Sequence, residues 1–235
     1  MKIIHINPKC VKNPIEISKK YLPFGLDEIN EDQISSILYQ AGTMTWQFYW
    51  SRKILEFYPN FEIENHILLH YISRKYTFVK DGIKIVAHPC VKGPFFNDDI
   101  DSYSPSFISD MSKVKNCIIH NHRPEFFNSL MVNKYFSDIP VIAEDSGAAI
   151  PNLAHYFRSQ SNKVIFTRFF EHKFLNNVDF FRCVSKITAR YINKYYGIKA
   201  DVWGAGVNET FFELEKSNRE SYVNILYVGK FFKFK

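Results

Sequence analysis

Cysteine is scattered and long apolar runs are missing in this 235-residue chain. Cys10, Cys90, Cys117 and Cys183 lie far apart and form no CxxC pair, so they predict neither a zinc site nor a disulfide framework. No apolar run approaches the ~20 residues that cross a bilayer, and the opening MKIIHINPK turns polar too early for a signal peptide. We therefore expect a cytoplasmic protein, with peripheral contact at the inner face of a membrane left open.

Charge is only mildly unbalanced. Thirty Lys and Arg residues face 24 Asp and Glu residues, a net charge of +6. This excess suits an anionic substrate or a membrane surface, but the chain has no Lys/Arg-rich block and no aromatic-basic pattern of the kind that binds RNA. We expect no nucleic-acid partner. The apolar fraction of 46% is that of an ordinary globular protein.

Strand-like and helix-like segments alternate along the chain. Strands are predicted at 2–6, 66–72, 116–120, 139–143, 163–166, 180–184, 200–203 and 224–228, with a hairpin in 76–89. Helices are predicted at 43–57, 104–114, 124–136, 152–159, 169–175 and 186–196. This alternation predicts an α/β protein with a doubly wound, mostly parallel, Rossmann-like sheet and helices on both faces.

Short-range signals support several of these boundaries. Asp81-Gly82 is a turn dipeptide between two β-branched runs, which is typical of a hairpin. Ser104-Pro105 is a pair that caps and starts a helix. Ser185 is expected to cap the helix 186–196, and Gly197 to end it.

Two histidines end an apolar run in IIHNHRPEFF (118–127). Side chains at i and i+2 of a strand lie on the same side, so His120 and His122 either hold a metal together or leave His122 alone to face a substrate. The metal alternative, a metal-dependent hydrolase, needs further ligands from His155, His172 or Asp179, and none of these ends a clear strand. We expect a structural role for His120, a functional role for His122, and no metal.

A second polar group follows the strand 139–143. Glu144, Asp145, Ser146 and Gly147 come after its last residue. Since α/β sheets bind ligands at the carboxyl ends of their strands, we expect these residues beside His122, on the acceptor or sugar side of a site.

Four motifs in order carry a family resemblance. They are IIHNHRP (118–124), IPVIAEDSG (139–147), VDFFRCVSKITARYINKYYGI (178–198) continuing into GAGVNETFF (204–212), and NILYVGKFFKFK (224–235). In this order the region 116–235 resembles a family-four glycosyltransferase of the GT-B fold, in which two Rossmann-like domains enclose a nucleotide-sugar cleft. The first 115 residues carry no diagnostic motif.

The resemblance implies a transferase that moves a sugar from a nucleotide-sugar to a glycan or lipid-linked acceptor with retention of configuration. His122 matches the family histidine that faces the transferred sugar. Gly229, Lys230 and Lys235 match the positions that hold the donor diphosphate, where fixed cations stabilise the charge of the leaving group. The nucleotide-sugar is then a co-substrate, and no cofactor or metal is implied.

The resemblance also implies a domain plan. Residues 1–208 correspond to the acceptor-side domain, 209–222 to a linker, and 223–235 to the start of a donor-binding domain, so we expect a companion chain to supply the rest or the chain to be one piece of a split enzyme. The sequence departs from the family where Asn7-Pro8-Lys9-Cys10 replaces a Gly-rich turn and Ser146 replaces a histidine. These departures leave open a catalytically inactive Rossmann-like subunit that binds a ligand or a partner.

Overall fold

A computed structural model describes residues 1–11, 45–70, 72–91, 102–124, 126–145, 173, 175 and 177–203, with only the backbone of residues 9–11, 45, 46 and 145. These residues belong to one compact unit, Met1–Gly204. The strands are β1 (Lys2–Val11), β2 (Glu62–Leu69), β3 (Tyr76–Lys80), β4 (Ile83–Pro89), β5 (Cys117–Asn121), β6 (Val141–Asp145), β7 (Phe180–Cys183) and β8 (Lys199–Val202). The helices are α1 (Thr45–Phe57), α2 (Pro105–Met111), α3 (Phe127–Val132) and α4 (Lys186–Tyr196), and a 3₁₀ turn (Asn133–Tyr135) follows α3.

The eight strands form one sheet in the order β3-β4-β2-β1-β5-β6-β7-β8. All neighbours are parallel except β3 and β4, which form the antiparallel hairpin. The sheet grows from β1 toward β2 and β4 on one side and toward β5, β6, β7 and β8 on the other. The prediction of an α/β protein with a mostly parallel sheet is confirmed, and the strand order reverses between β1 and β5.

Apolar residues lie on both faces of the sheet, because successive side chains of a strand point to opposite sides. On one face Phe48 of α1 packs with apolar residues of β2, β3 and β4: Ile63, Ile67, Leu69, Phe78, Ile83, Ile85 and Ala87. On the other face α2, α3 and α4 contribute Phe107, Met111, Val132, Ala189 and Ile192, which pack with Ile4, Ile6, Ile119, Val141 and Phe181 of the strands. Described helices therefore pack on each face of the sheet, whereas the doubly wound Rossmann-like arrangement stays a prediction.

The short-range signals are confirmed where the structure describes them. Asp81 and Gly82 adopt positive φ angles of 52° and 76°, the backbone that a tight hairpin turn requires. Ser104 accepts a hydrogen bond from the N–H of Phe107 and precedes Pro105 at the start of α2. Ser185 accepts one from the N–H of Thr188. Gly197 ends α4 in the left-handed conformation.

The first strand is longer than the sequence predicts. The apolar run 2–6 predicts an end before Pro8, yet β1 continues to Val11. Its pairing with β2 shifts between Asn7 and Cys10, so Pro8 lies in an irregular stretch of the ladder. A proline has no N–H to give to a neighbouring strand, and an irregularity tolerates it.

Other predictions lie outside the described residues or differ in detail. The linker 209–222 and the segment 223–235 are outside, as are the helix 152–159 and the strand 163–166. Cys90 is disulfide-bonded, which the cysteine spacing does not predict, whereas Cys117 and Cys183 are buried free thiols. Among the described helices, none has the length and apolar character needed to traverse a bilayer.

Candidate functional site

Three histidines meet where the strand order reverses. His5 of β1 lies opposite His120 of β5 in the parallel register. His122 follows the last residue of β5, and its N–H donates to the carbonyl of Ile6 in β1. The i and i+2 spacing of His120 and His122 places both rings on the face that carries His5. The three rings lie in contact, and the ring centres of His120 and His122 are 4.1 Å apart.

Two charged residues from the next strands complete the group. Glu144 of β6 and Arg182 of β7 are partners in the sheet register. A Glu144 carboxylate oxygen, Oε2, lies 3.2 Å from Nδ1 of His122, 3.3 Å from Nε2 of His120 and 3.2 Å from Nη1 of Arg182. We call His5, His120, His122, Glu144 and Arg182 the switch-point cluster.

His122 has both ring nitrogens engaged within this cluster. Its Nε2 lies 3.0 Å from Nδ1 of His5, and its Nδ1 faces Glu144. Only 7% of His122 is exposed. The sequence predicts a histidine that faces a substrate, whereas the described residues place this ring inside a hydrogen-bonded network at a strand end.

Arg182 is held by aromatic rings as well as by Glu144. Its guanidinium lies 4.7 Å from the ring centre of Trp50 in α1 and 5.4 Å from that of Trp203, just after β8. A cation stacked on aromatic faces is stabilised by their negative π surface. Arg182 is therefore fixed in orientation, and it brings a buried positive charge beside the carboxylate of the cluster.

The electrostatics of the cluster follow from its burial. Burial, with the neighbouring His120 and His122, holds the pKa of His5 well below its ordinary value. Burial and His120 lower the pKa of His122 to about 4, against an opposing effect of Glu144. Burial alone would raise the pKa of Glu144, but the neighbouring imidazoles outweigh it and the pKa falls below its ordinary range. At neutral pH the cluster thus holds neutral His5 and His122 beside an ionised Glu144.

Two ring nitrogens in the cluster lack a hydrogen-bond partner among the described residues. They are Nε2 of His5 and Nε2 of His120, both buried. Nε2 of His120 lies near the Glu144 carboxylate, but without the alignment of a hydrogen bond. One nitrogen from each of the three histidines lies within 4.8 Å of the others, a spacing that a metal ion can bridge.

A second buried histidine group lies on the opposite face of the sheet. Nδ1 of His66 in β2 lies 2.9 Å from Nε2 of His88 in β4. The outer nitrogens face Glu64 at 3.4 Å and Ser106 of α2 at 3.1 Å, and Phe107 packs its ring against both imidazoles. We call His66 and His88 the second histidine pair. Every ring nitrogen of this pair has a partner, and the pair ties α2 to the sheet.

The charged neighbours of the second histidine pair are themselves paired. Glu64 lies between Lys2 at 2.9 Å and Lys84 at 2.7 Å. Hydrogen bonding to His66, which exceeds the opposing effect of burial, helps to hold the pKa of Glu64 below its ordinary range. Asp110 of α2 lies 3.0 Å from Lys75. Burial lowers the pKa of both histidines of the pair.

The predicted site residues are brought together only in part. His122 and Glu144 meet directly, as expected from the carboxyl ends of neighbouring strands. Asp145 ends β6, with its side chain outside the described residues. Also outside are Ser146, Gly147, Gly229, Lys230 and Lys235, together with His155 and His172 of the metal alternative.

Asp179, the third residue of the metal alternative, has a structural contact. Its carboxylate accepts the N–H of Val141 at 2.8 Å, where it holds the start of β6. Within the described part of the chain, it is not one of the residues that gather around His122.

Sequence reasoning missed two members of the switch-point cluster: His5 and Arg182. His5 and Arg182 each interrupt an apolar strand, in IIHIN and FFRCV, and this interruption is the signal that marks them. Polar side chains are seldom buried without partners. A single polar residue in an apolar strand therefore predicts a polar partner from another part of the chain.

Comparison with known proteins brings no further identification. No protein-family model matches the chain, and no curated protein is significantly similar to it.

Proposed function

We propose that the chain is the acceptor-side domain of a glycosyltransferase, which transfers a sugar from a nucleotide-sugar to a glycan or lipid-linked acceptor with retention. The observation that carries this proposal is the position of the switch-point cluster. Its residues come from β1, β5, β6 and β7, around the reversal of strand order between β1 and β5. Open α/β sheets bind their ligands at that place, beyond the carboxyl ends of the strands.

The charges of the cluster suit a sugar ligand. An ionised Glu144 accepts hydrogen bonds from sugar hydroxyls, and it is held in place by Arg182. His122 reaches a sugar hydroxyl through Nε2 when it exchanges its bond to His5 for one to the substrate. This exchange leaves Nδ1 of His122 on Glu144, which keeps the ring oriented.

The resemblance assigns the donor diphosphate to Gly229, Lys230 and Lys235. A leaving diphosphate gains negative charge in the transition state, and positioned ammonium groups stabilise that charge. Lysine in place of arginine keeps the charge and loses the bidentate geometry.

Replacement of His122 tests the proposal. We expect His122→Ala to lower sugar transfer by about 100-fold or more, because a positioned acid–base or polar group contributes about that much to a rate. Transfer is measured from labelled nucleotide-sugars to an acceptor mixture.

A matched control comes from the other face of the sheet. His88→Gln removes an equally buried histidine from the second histidine pair and is expected to keep transfer close to that of the unsubstituted chain. Folding of both variants is checked by circular dichroism. Near-full turnover by a folded His122→Ala chain would contradict the assignment of the site.

A binding subunit without catalytic activity is the second candidate function. One observation favours it: both ring nitrogens of His122 are already engaged and the ring is buried. Such a subunit binds the sugar ligand at the cluster without turning it over. Saturable binding of an acceptor glycan that depends on Glu144, without transfer under any donor tested, would favour this candidate.

A further inference from the structure

We propose that His5, His120 and His122 together bind one divalent transition-metal ion, with Glu144 as the carboxylate that orients the ligand rings. Imidazole nitrogen is a common ligand of zinc, copper, nickel and iron(II) in proteins. The inference does not depend on the proposed sugar transfer, which requires no metal, and since the ion and the sugar hydroxyl would both bind Nε2 of His122, only one of them occupies that atom at a time.

The spacing of the ligand atoms supports one ion. One nitrogen of each histidine lies within 4.8 Å of the other two. Nδ1 of His5 and Nε2 of His122 are 3.0 Å apart. With metal–nitrogen bonds of about 2.05 Å, that separation corresponds to an angle of roughly 94° at the ion. An octahedral ion accepts this angle directly, and a tetrahedral zinc ion needs the two rings to separate by a few tenths of an ångström.

The unpartnered nitrogens are the second, independent observation. His5 is fully buried, yet its Nε2 has no partner among the described residues, and the same holds for the buried Nε2 of His120. Buried polar atoms almost always have partners, and a bound ion often accounts for an exception. With His5 bound through Nδ1, coordination through Nε2 of His120 gives that nitrogen the partner that the described protein atoms do not supply, whereas Nε2 of His5 is not explained by the ion.

Glu144 provides the support that metal-binding histidines usually have. Its carboxylate lies 3.2 Å from Nδ1 of His122, the nitrogen on the far side of the ring from His5. A carboxylate in this position fixes which ring nitrogen carries the proton and makes the other one a stronger ligand. Nη1 of Arg182 lies 3.2 Å from the same carboxylate oxygen. Glu144 therefore neutralises the positive charge of Arg182 before a metal ion binds.

The second histidine pair is the natural counter-example. His66, His88 and Asp110 also lie within 4.8 Å of one another through one atom each. However, all four ring nitrogens of the pair have partners, and Asp110 is paired with Lys75. An ion there would have to break several existing contacts, so we assign none to this group.

Metal titration of the full chain tests the proposal. The protein is stripped with a chelator, dialysed against Zn²⁺ and analysed for zinc and protein content, and Co²⁺ is added in parallel for its visible absorption bands. We expect one zinc per chain and a cobalt spectrum typical of nitrogen ligands. A stripped chain that takes up no stoichiometric zinc or cobalt would overturn the proposal, whatever the variants do.

Variants then locate the ion. We expect His120→Gln to abolish stoichiometric binding, and Glu144→Gln to weaken it by roughly 10–100-fold, as the loss of a supporting carboxylate usually does. His120 is the least buried of the three histidines, so its replacement disturbs the core least. His5→Gln is the second ligand variant, and circular dichroism verifies the fold of each.

The matched control is His88→Gln, which is expected to bind zinc like the unsubstituted chain. Loss of zinc in His88→Gln, or full retention in a folded His120→Gln chain, would overturn the assignment. The outcome is independent of the transfer assay. Zinc binding by a chain that transfers no sugar would support this inference and count against the proposed function.

Discussion

The switch-point cluster and the second histidine pair lie on opposite faces of the same sheet and share their chemistry. Each contains buried histidines with lowered pKa values beside an ionised carboxylate. They differ in completeness, because every ring nitrogen of the second pair has a partner, while the described residues leave two nitrogens of the cluster without one. Burial and a lowered pKa are common to both groups and therefore do not distinguish them. Among the described residues, incomplete hydrogen bonding is what sets the cluster apart.

The carboxylates of the two groups, Glu144 and Glu64, differ in how exposed their cationic partners are. Glu144 is bound to Arg182, whose side chain is only 9% exposed. Glu64 has two lysines, and the Lys84 side chain is 46% exposed. The cluster therefore holds a charge pair that water cannot easily replace, whereas the ion pairs of Glu64 stay in contact with solvent.

Removal of the buried cation is expected to have the largest effect on stability. Arg182→Met leaves the Glu144 carboxylate without its cation in a largely buried position, and breaking a buried pair on one side typically costs about 3–5 kcal/mol. The free energy of unfolding from urea titration measures this cost. The double variant Arg182→Met, Glu144→Gln removes both charges and should recover part of the loss. A double variant less stable than the single one would mean that the pair is not the cause.

The pH dependence of the free energy of unfolding is expected to be an effect of intermediate size. The pKa of His122 is about 4 in the folded protein and 6.5 as an ordinary histidine. Between these values the unfolded chain binds a proton that the folded chain does not, so the stabilising contribution is complete above pH 6.5 and is lost as the pH falls toward 4. Each such proton changes stability by about 1.4 kcal/mol per pH unit.

Both histidine groups add to this slope with the same sign, since burial lowers the pKa of His66 and His88 as well. Urea midpoints measured from pH 7 to pH 4 should therefore decline, and His88→Gln should reduce the decline. Stability that rises as the pH is lowered through this range would show that the buried histidines are charged. That result would contradict the lowered pKa values on which the comparison of the two histidine groups depends.

The smallest effect on stability is expected from loss of Lys84, the partly exposed cation that pairs with Glu64. Lys84→Met removes one ion pair of Glu64 at a partly exposed position, and Lys2 still neutralises the carboxylate. Exposed pairs typically contribute about 0–1 kcal/mol. The free energy of unfolding of Lys84→Met is measured by the same urea titration, and its loss is compared with the loss in Arg182→Met. A loss as large as that of Arg182→Met would mean that the exposure of the partner cation does not decide how much the ion pair contributes.

Local signals in the sequence predict local structure well. The hairpin at Asp81-Gly82 and the caps at Ser104, Ser185 and Gly197 depend on the backbone preferences of a few adjacent residues, and all four are as expected. The extension of β1 past Pro8 is not predicted, because the strand continues through pairing with distant β2 in spite of the proline. The elements predicted between 146 and 172 stay predictions.

The sequence by itself determined that His120 and His122 share one face of a strand and that Glu144 lies near the end of a strand, because alternation and strand ends are properties of short segments. Only the tertiary structure decided that His5, 117 positions before His122, completes the cluster, and that Arg182 reaches Glu144 from β7. The physical reason is that strand order and register arise from burial of both sheet faces by the whole chain. No single segment encodes which strand will be its neighbour.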